Sequence, residues 1–432
     1  MCCPAAALCS VCYFLITVYI FLVYWLYSQS RHVLLTHADL SVDTLTPREM
    51  SELMCALIRA SEKAANIARS CRQEEALFSL LIEEKKEGEK NKKFVTDFKT
   101  LADVLVQEVI KHDIGKEFPD LGNYIFGEES NEFTNGLGET IRVKVCNTEQ
   151  DTEALLGTVL GGNGEAARSL ACAAHLDVAV SNLGIAADKI PLDNLGVWVD
   201  PIDSTFQYIK GVEDSVPTGG VYSQGLQCVT VLIGVYNRHS GTPVMGVINQ
   251  PFASLDDATQ RWTGRYYWGI SSGSYNINSL QLSTDSAVQP PDQQGAPLSV
   301  VLSTGEAASV KEAILQVCGG RPHYAAGAGY KSLCVVLGLV DLYVFSEDTT
   351  FRWDCCSPHA ILRSMGGGMA DLQECLRARR EGRPEEQPEL LYSQPIPGAM
   401  GPDRWANKGG LIAYRSQAHL QAVLEVLGPL SL

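Results

Sequence analysis

The apolar run Leu195-Gly196-Val197-Trp198-Val199 ends abruptly in Asp200-Pro201-Ile202-Asp203-Ser204-Thr205. The run reads as a buried strand that delivers Asp200 to its C-terminal end. Proline stops the ladder, and Ser204 or Thr205 caps the helix that follows. Asp200 and Asp203 therefore share one tight turn, with carboxylates able to converge. Like charges that close are unfavourable unless a cation sits between them. The exposed amides of the helix start favour a phosphate. Carboxylates and an anion cradle on one turn point to a divalent metal and a phosphorylated ligand. The plainer alternative is an Asx-turn and helix cap that binds nothing.

Charge supports the first reading. Lysine and arginine number 34 against 50 aspartates and glutamates, a formal charge of −16. A chain this acidic, with no strong basic block, is a poor partner for nucleic acid and a suitable one for divalent cations. Three further acidic positions follow structured segments. Glu128 and Glu129 come after the short extended piece Tyr124-Ile125-Phe126, Asp354 follows Trp353 at the head of an apolar helix, and Asp103 lies at the N3 position after Thr100. Each alone has an ordinary reading, as a solvated pair, a helix cap and a capping box.

Elsewhere the pattern is mixed α and β. Thr46-Pro47-Arg48-Glu49 has the form of a capping box with proline at the first helical position. Met50, Leu53, Met54, Leu57, Ile58, Ala65 and Ala68 then recur at helical spacing. A second helix is expected over Glu74–Glu84, running into EEKKEGEKNKK as a solvated loop and helix end, and a third opens at Thr100. Residues 147–190 read as helix and loop, and 226–236 and 243–248 as strands joined by a hairpin turn over 237–242. Trp262–Ile270 adds a further strand. Residues 281–297 are polar and proline-rich, a natural junction. Beyond them come strand 298–304, helix 305–317, a glycine turn at 325–329, helix 330–338, strand 342–346 and helix 355–365. A charged loop (376–390), a strand Gly410–Tyr414 and a helix from Ser416 complete an α/β alternation. The expected division is a leader and linker (1–45), an α+β metal-binding sub-domain (46–290) and an α/β substrate-side sub-domain (291–432).

The leader stands apart. Ala5–Tyr27 carries no charge, the first being Arg31, and it exceeds the ~20 apolar residues that cross a bilayer as a helix. With no basic residue ahead of it, the run fits an anchor better than a cleaved signal. Tyr24, Trp25 and Tyr27 form an interfacial belt, and Arg31 favours a cytoplasmic catalytic part. The competing reading is a translated upstream region absent from the working protein. Cys2 and Cys3 are candidates for acylation. The 14 cysteines show no zinc-ligand spacing in the body of the chain and read as reduced thiols.

The set Asp103, Glu128-Glu129, Asp200-Pro-Ile-Asp-Ser-Thr205 and Trp353-Asp354 resembles the lithium-sensitive, magnesium-dependent phosphomonoesterase superfamily of inositol monophosphatase, bisphosphate nucleotidase and fructose-1,6-bisphosphatase. Longer runs resemble its branch acting on inositol polyphosphates: SEKAANIAR (61–69), LIEEKKEGEKNKKF (81–94), DFKTLADVLVQEVI (97–110), IFGEESNEFTN (125–135), GAGYKSLCVV, FSEDTTF and DRWANKGGLIAYRS. The resemblance covers residue 51 to the C-terminus. It implies a layered αβαβα sugar-phosphatase fold of two sub-domains with the metal site at their junction.

By the same resemblance, Glu128, Asp200 and the carbonyl of Ile202 hold a first Mg²⁺, and Asp200, Asp203 and Asp354 a second. Asp103 and Thr205 orient and deprotonate the attacking water. Glu128 helps through a weakly bound third ion, and Glu129 supports it. Asp203, Ser204, Thr205 and Asp354 contact substrate, with Gly327, Ala328 and Lys331 on the side of the inositol 4-phosphate. Li⁺ is an expected inhibitor at the second metal position. The implied reaction removes the 1-phosphate from inositol 1,4-bisphosphate and inositol 1,3,4-trisphosphate. The rivals are a 3′-phosphoadenosine 5′-phosphate phosphatase and a binding protein without catalysis. One departure stands out: after strand 298–304 that branch offers a serine and a lysine toward substrate, where this chain has Gly305 and Ala307.

Overall fold

The computed structural model describes residues 47–73, 78–180, 183, 194–214, 216–273, 275–282 and 297–430. Helix α1 (Pro47–Gln73) comes first, then the hairpin of β1 (Ile82–Glu84) and β2 (Phe98–Thr100), which runs directly into α2 (Leu101–Glu117). After β3 (Ile125–Gly127) come a small hairpin of β4 (Glu132–Thr134) and β5 (Thr140–Arg142), then α3 (Glu149–Gly157) and α4 (Gly164–His175). Strand β6 (Leu195–Asp203) leads into the short α5 (Thr205–Lys210), and β7 (Thr230–Asn237), β8 (Pro243–Asp256), β9 (Arg261–Ser272) and β10 (Tyr275–Asn278) form a meander. The first sheet has the order β10-β9-β8-β7-β6-β3 and is antiparallel except where β3 runs parallel to β6.

The second half alternates: β11 (Val300–Leu302), α6 (Ala308–Ile314), β12 (His323–Tyr324), α7 (Ala328–Val336), β13 (Leu342–Phe345), α8 (Arg352–Ser364), β14 (Gly368–Asp371), α9 (Leu372–Arg380), β15 (Leu411–Tyr414) and α10 (Gln417–Leu427). Its sheet has the order β12-β11-β13-β15-β14, with β11 parallel to both β12 and β13.

Period-two side-chain alternation explains the layering. In β6 and β7, Val197, Val199, Val231 and Ile233 face one core with Leu53 and Leu57 of α1 and Val104 of α2. Trp198 and Leu232 face a second core with Leu333 of α7, Cys356 and Ile361 of α8, and Val301 and Tyr343 of the second sheet. Val300, Val344 and Ile412 face a third with Val310 of α6, Leu376 of α9 and Leu420 of α10. The central strands β6, β7, β11, β13 and β15 are thus covered on both faces and are nearly continuously apolar. The stack is α1/α2, sheet, α7/α8, sheet, α6/α9/α10: the αβαβα layering that the resemblance implied.

One row of glycines sets the central spacing. Gly234 pairs with Gly246, and Gly246 with Gly269, across β7, β8 and β9. A Cβ at these positions would lie 2.5 Å from Ser357 N, 2.1 Å from Ser357 O and 2.7 Å from Ser364 Oγ. Helix α8 is sunk into that trench, and Ser357 Oγ donates to Val247 O at 2.8 Å.

Several local expectations need correction. Residues 78–84 are not α-helical: a short 3-10 helix, Phe78–Leu81, passes into β1. Pairing with β2 overrides the helical propensity of Glu83 and Glu84, and residues 74–77 lie outside the described residues. Proline does not end β6, which continues to Asp203 through a register shift between Asp200 and Asp203. Pro201 occupies that irregularity, where no ladder donor is needed. The segment read as a charged loop begins within α9, whose apolar face carries Leu372, Cys375 and Leu376. Among the described residues no helix is long and apolar enough to cross a membrane. Ala5–Tyr27 and most of the 281–297 junction lie outside the described residues. The ten described cysteines are free thiols.

Candidate active site

The irregular end of β6 carries two acids, and the fold brings a third to them from a distant part of the chain. Asp200, Asp203 and Asp354 are buried and offer carboxylate oxygens within 4.8 Å of one another. Asp203 Oδ2 accepts from Gly329 N at 2.9 Å and Thr230 Oγ1 at 3.2 Å. Asp354 stands in the first turn of α8 and accepts from Phe351 N at 2.5 Å, so the trench that seats α8 also brings this carboxylate to β6. Burial first, and then the charges of neighbouring acids, raise the pKa of Asp200 well above the usual range. Burial chiefly raises Asp203 and Asp354 as well. Asp200 Oδ1 is buried without a hydrogen-bond partner. An orphaned anionic oxygen among carboxylates is costly without a cation, and an all-oxygen donor set suits a hard one.

Glu128 follows β3, whose parallel pairing sets it beside β6, with Glu128 N donating to Val199 O at 3.2 Å. It lies beside the three mutually close aspartates, and its charge helps to raise Asp200 and Asp354. Lys85 Nζ is 2.6 Å from Glu128 Oε1 and 2.6 Å from Glu129 Oε1. Burial alone would lower the Lys85 pKa, but the charges of Glu128, Glu129 and Asp97 outweigh it and raise it. Glu129 is pushed up to about 8, mainly by burial. Gln107 of α2 clamps its backbone, Nε2 donating to Glu129 O at 2.5 Å and Oε1 accepting from Glu129 N at 2.9 Å. Gly127 permits that clamp, since a Cβ would lie 2.0 Å from Gln107 Oε1.

Asp103 and Thr205 meet at the same place. Thr205 Oγ1 lies 3.3 Å from Asp103 Oδ1 and 3.1 Å from Ile202 O, either of which can accept its proton. The other Asp103 oxygen accepts from Thr100 Oγ1 at 2.5 Å and Thr100 N at 2.8 Å, the expected capping box. Asp103 is raised to about 6, burial outweighing the Thr100 hydrogen bonds. Ser204 has φ 75° and makes no side-chain cap. A left-handed serine costs roughly 1–3 kcal/mol and is characteristic of functional turns.

From the second half, Gly327 (φ 76°) passes so close that a Cβ would lie 2.8 Å from Asp203 Oδ2 and 3.0 Å from Cys228 O. Ala328 begins α7, half-exposed beside it. Lys331 points inward: its Nζ donates to Gly327 O at 2.7 Å and Ala325 O at 3.3 Å, and burial lowers it to about 8. Every candidate from the sequence thus lies on one set of neighbouring elements. Lys85, Gln107 and Thr230 were not anticipated. Lys85 lay within a charge run read as solvated, and neither Gln107 nor Thr230 carries a local signal.

Fold and site together define a class: layered α/β phosphatases that gather carboxylates for a metal at one strand end. The chain belongs to the inositol monophosphatase family, a metal-dependent one, whose model matches residues 49–420. Inositol polyphosphate 1-phosphatase of Bos taurus is 58% identical over 390 residues, covering 88% of this chain and 97% of the bovine one. The Homo sapiens protein of that name is 56% identical over 392 residues, with 88% and 97% covered. The crystal structure of extragenic suppressor protein suhB from Bartonella henselae aligns at TM-score 0.46 and 13% identity, over 88% of this chain and 100% of its own. With relatives this similar along nearly their whole length, the chain is a phosphoric monoester hydrolase.

Proposed function

We propose that the protein removes the 1-phosphate from inositol 1,4-bisphosphate and inositol 1,3,4-trisphosphate, that it requires Mg²⁺ and that Li⁺ inhibits it. The substrate follows the names of its relatives at 54–58% identity. The observation that carries the metal requirement is the unpartnered Asp200 Oδ1 within a buried group of aspartates.

Glu128, Asp200 and the Ile202 carbonyl would hold one ion, Asp200, Asp203 and Asp354 would hold a second, and Glu128 would help to hold a weaker third. When bound, magnesium supplies positive charge against the scissile phosphate and acidifies the attacking water. Thr205, hydrogen-bonded to Asp103, orients that water, and Asp103 takes its proton. Ser204 and Thr205, with Asp203 and Asp354, line the scissile phosphate, while Gly327, Ala328 and Lys331 face the 4-phosphate. The same reading divides the chain near residue 290, supported by one sheet drawing only on residues before it and the other only on residues after it. It also keeps Ala5–Tyr27 as a membrane anchor, on hydropathy, and the catalytic part cytoplasmic, on Arg31 beyond that run.

Steady-state phosphate release from inositol 1,4-bisphosphate and from 3′-phosphoadenosine 5′-phosphate, each with Mg²⁺, EDTA or added Li⁺, tests the reading. Rapid Mg²⁺-dependent release from the inositol compound, abolished by EDTA and reduced by Li⁺, is expected. Faster release from the nucleotide, or indifference to EDTA, overturns it.

A further inference from the structure

The lysine-rich segment between β1 and β2 is a strap across the site. Its base is closed by Lys85 N donating to Asp97 O at 2.9 Å, and Asn91 N to Asp97 Oδ2 at 2.9 Å. Its far side is pinned to the loop after β13. Asn91 Nδ2 donates to Thr349 O at 3.3 Å, and Lys92 Nζ is 2.5 Å from Asp348 Oδ2. Lys93 Nζ lies 3.6 Å from Glu347 Oε2 and 4.7 Å from the centroid of the Phe345 ring.

This places Lys93 at the C-terminal ends of β11 and β13, which are parallel. Open α/β sheets bind ligands at that edge. Gly305 and Ala307 follow β11 on the same edge, exposed and without charge, while Glu306 between them is buried and accepts from Ser346 N at 3.2 Å. Other cations nearby are engaged. Lys331, set beside the 4-phosphate in the proposed function, also holds the carbonyls of Gly327 and Ala325, Lys311 donates to Thr304 O at 2.8 Å, and Lys92 has Asp348 and, at 4.0 Å, Asp403, so Lys93 acts alongside Lys331 rather than in its place. The charge of Lys93 contributes, after burial, to lowering Lys331. Lys93 keeps a single loose carboxylate partner and is 31% exposed.

We propose that Lys93 is a specificity-determining residue, its ammonium binding the phosphate that remains on the inositol ring. This rests on the inositol polyphosphate reading. A flexible lysine is a suitable point charge for a phosphate, and a carboxylate 3.6 Å away yields to a dianion.

Lys93→Gln is expected to raise KM for inositol 1,4-bisphosphate about tenfold, the scale of one charge-assisted hydrogen bond, with kcat within about twofold. Product inhibition separates the two phosphate positions. Inhibition by inositol 4-phosphate should weaken about tenfold, and inhibition by inorganic phosphate should not change. Lys93→Arg should restore most of the loss, and Glu347→Gln should leave KM unchanged or lower it. Unaltered KM in Lys93→Gln overturns the assignment. So does equal weakening toward both products, or an equal loss in Glu347→Gln, which would make Lys93 only the partner of Glu347. A wild-type protein that does not hydrolyse inositol 1,4-bisphosphate would overturn the proposed function itself, and this assignment with it, before any variant is made.

Discussion

Asp354 has two roles that pull in opposite directions. Its carboxylate caps α8 through Phe351 N, which an amide oxygen can also do, but its charge adds to a buried group already short of cations. Asp354→Asn keeps the shape and removes the charge. On the proposed role of Asp354, turnover should fall by at least about a thousandfold, since an electrostatic group beside the reacting phosphate would be lost. The melting temperature in EDTA should rise, because one of several repelling carboxylates has gone. Activity assays and calorimetry on the same sample check both, and a drop in EDTA stability would show that the cluster is not under charge strain. Thr205→Val isolates the other half of the site. It removes the hydroxyl that touches Asp103 Oδ1, and kcat should fall by about a hundredfold or more with little change in KM. An unchanged kcat would remove Thr205 from water orientation.

Elements decide whether those residues meet. The trench made by Gly234, Gly246 and Gly269 lets α8 approach the first sheet, and Asp354 rides on its first turn. Gly246→Ala would put a Cβ 2.1 Å from Ser357 O, and a backbone atom cannot swing aside. Overpacking of this kind costs about 1–3 kcal/mol, and a 1 Å displacement of a catalytic group lowers kcat by about a hundredfold. Gly164→Ala, where nothing lies within 4 Å, should be neutral in both thermal melts and rates. Strands and helices with strong periodicity were legible from the chain, among them α1, β6, β7, β8 and α8. The turn bearing Asp200 and Asp203 was legible as a place where carboxylates converge, because both stand on one tight turn, and the fold adds Asp354 to them. Segments with short or conflicting patterns were not legible. Strand β1 is three residues of mixed propensity fixed by its partner, and β14 is four residues after a glycine run. Gln107 and Thr230 act through contacts across the fold, which no local pattern records.

At the scale of the whole molecule, the site is a buried store of negative charge that couples stability to pH and metal. Folding raises Asp103 from 3.8 to about 6 and Glu129 from 4.5 to about 8, burial being the largest cause in each, and it raises Asp200, Asp203 and Asp354 in the same direction. Between the unfolded and folded values the native protein holds protons that the unfolded chain has released. Without metal, stability therefore falls as pH rises through that interval. Lys331, lowered from 10.5 to about 8, acts in the opposite sense only above its folded value, so it does not mask the trend. On the proposed function, magnesium would bind the ionised carboxylates of the folded state, so its stabilisation would grow as protons leave. The melting temperature in EDTA should decline from about pH 5 to about pH 8, while millimolar Mg²⁺ raises it least at the acid end and most at the alkaline end. Calorimetry across that range reads both curves. A flat EDTA profile, or a magnesium shift that does not depend on pH, would mean that these acids fold already neutralised from within, and that the cation is not what the buried oxygens of β6 and α8 are arranged to meet.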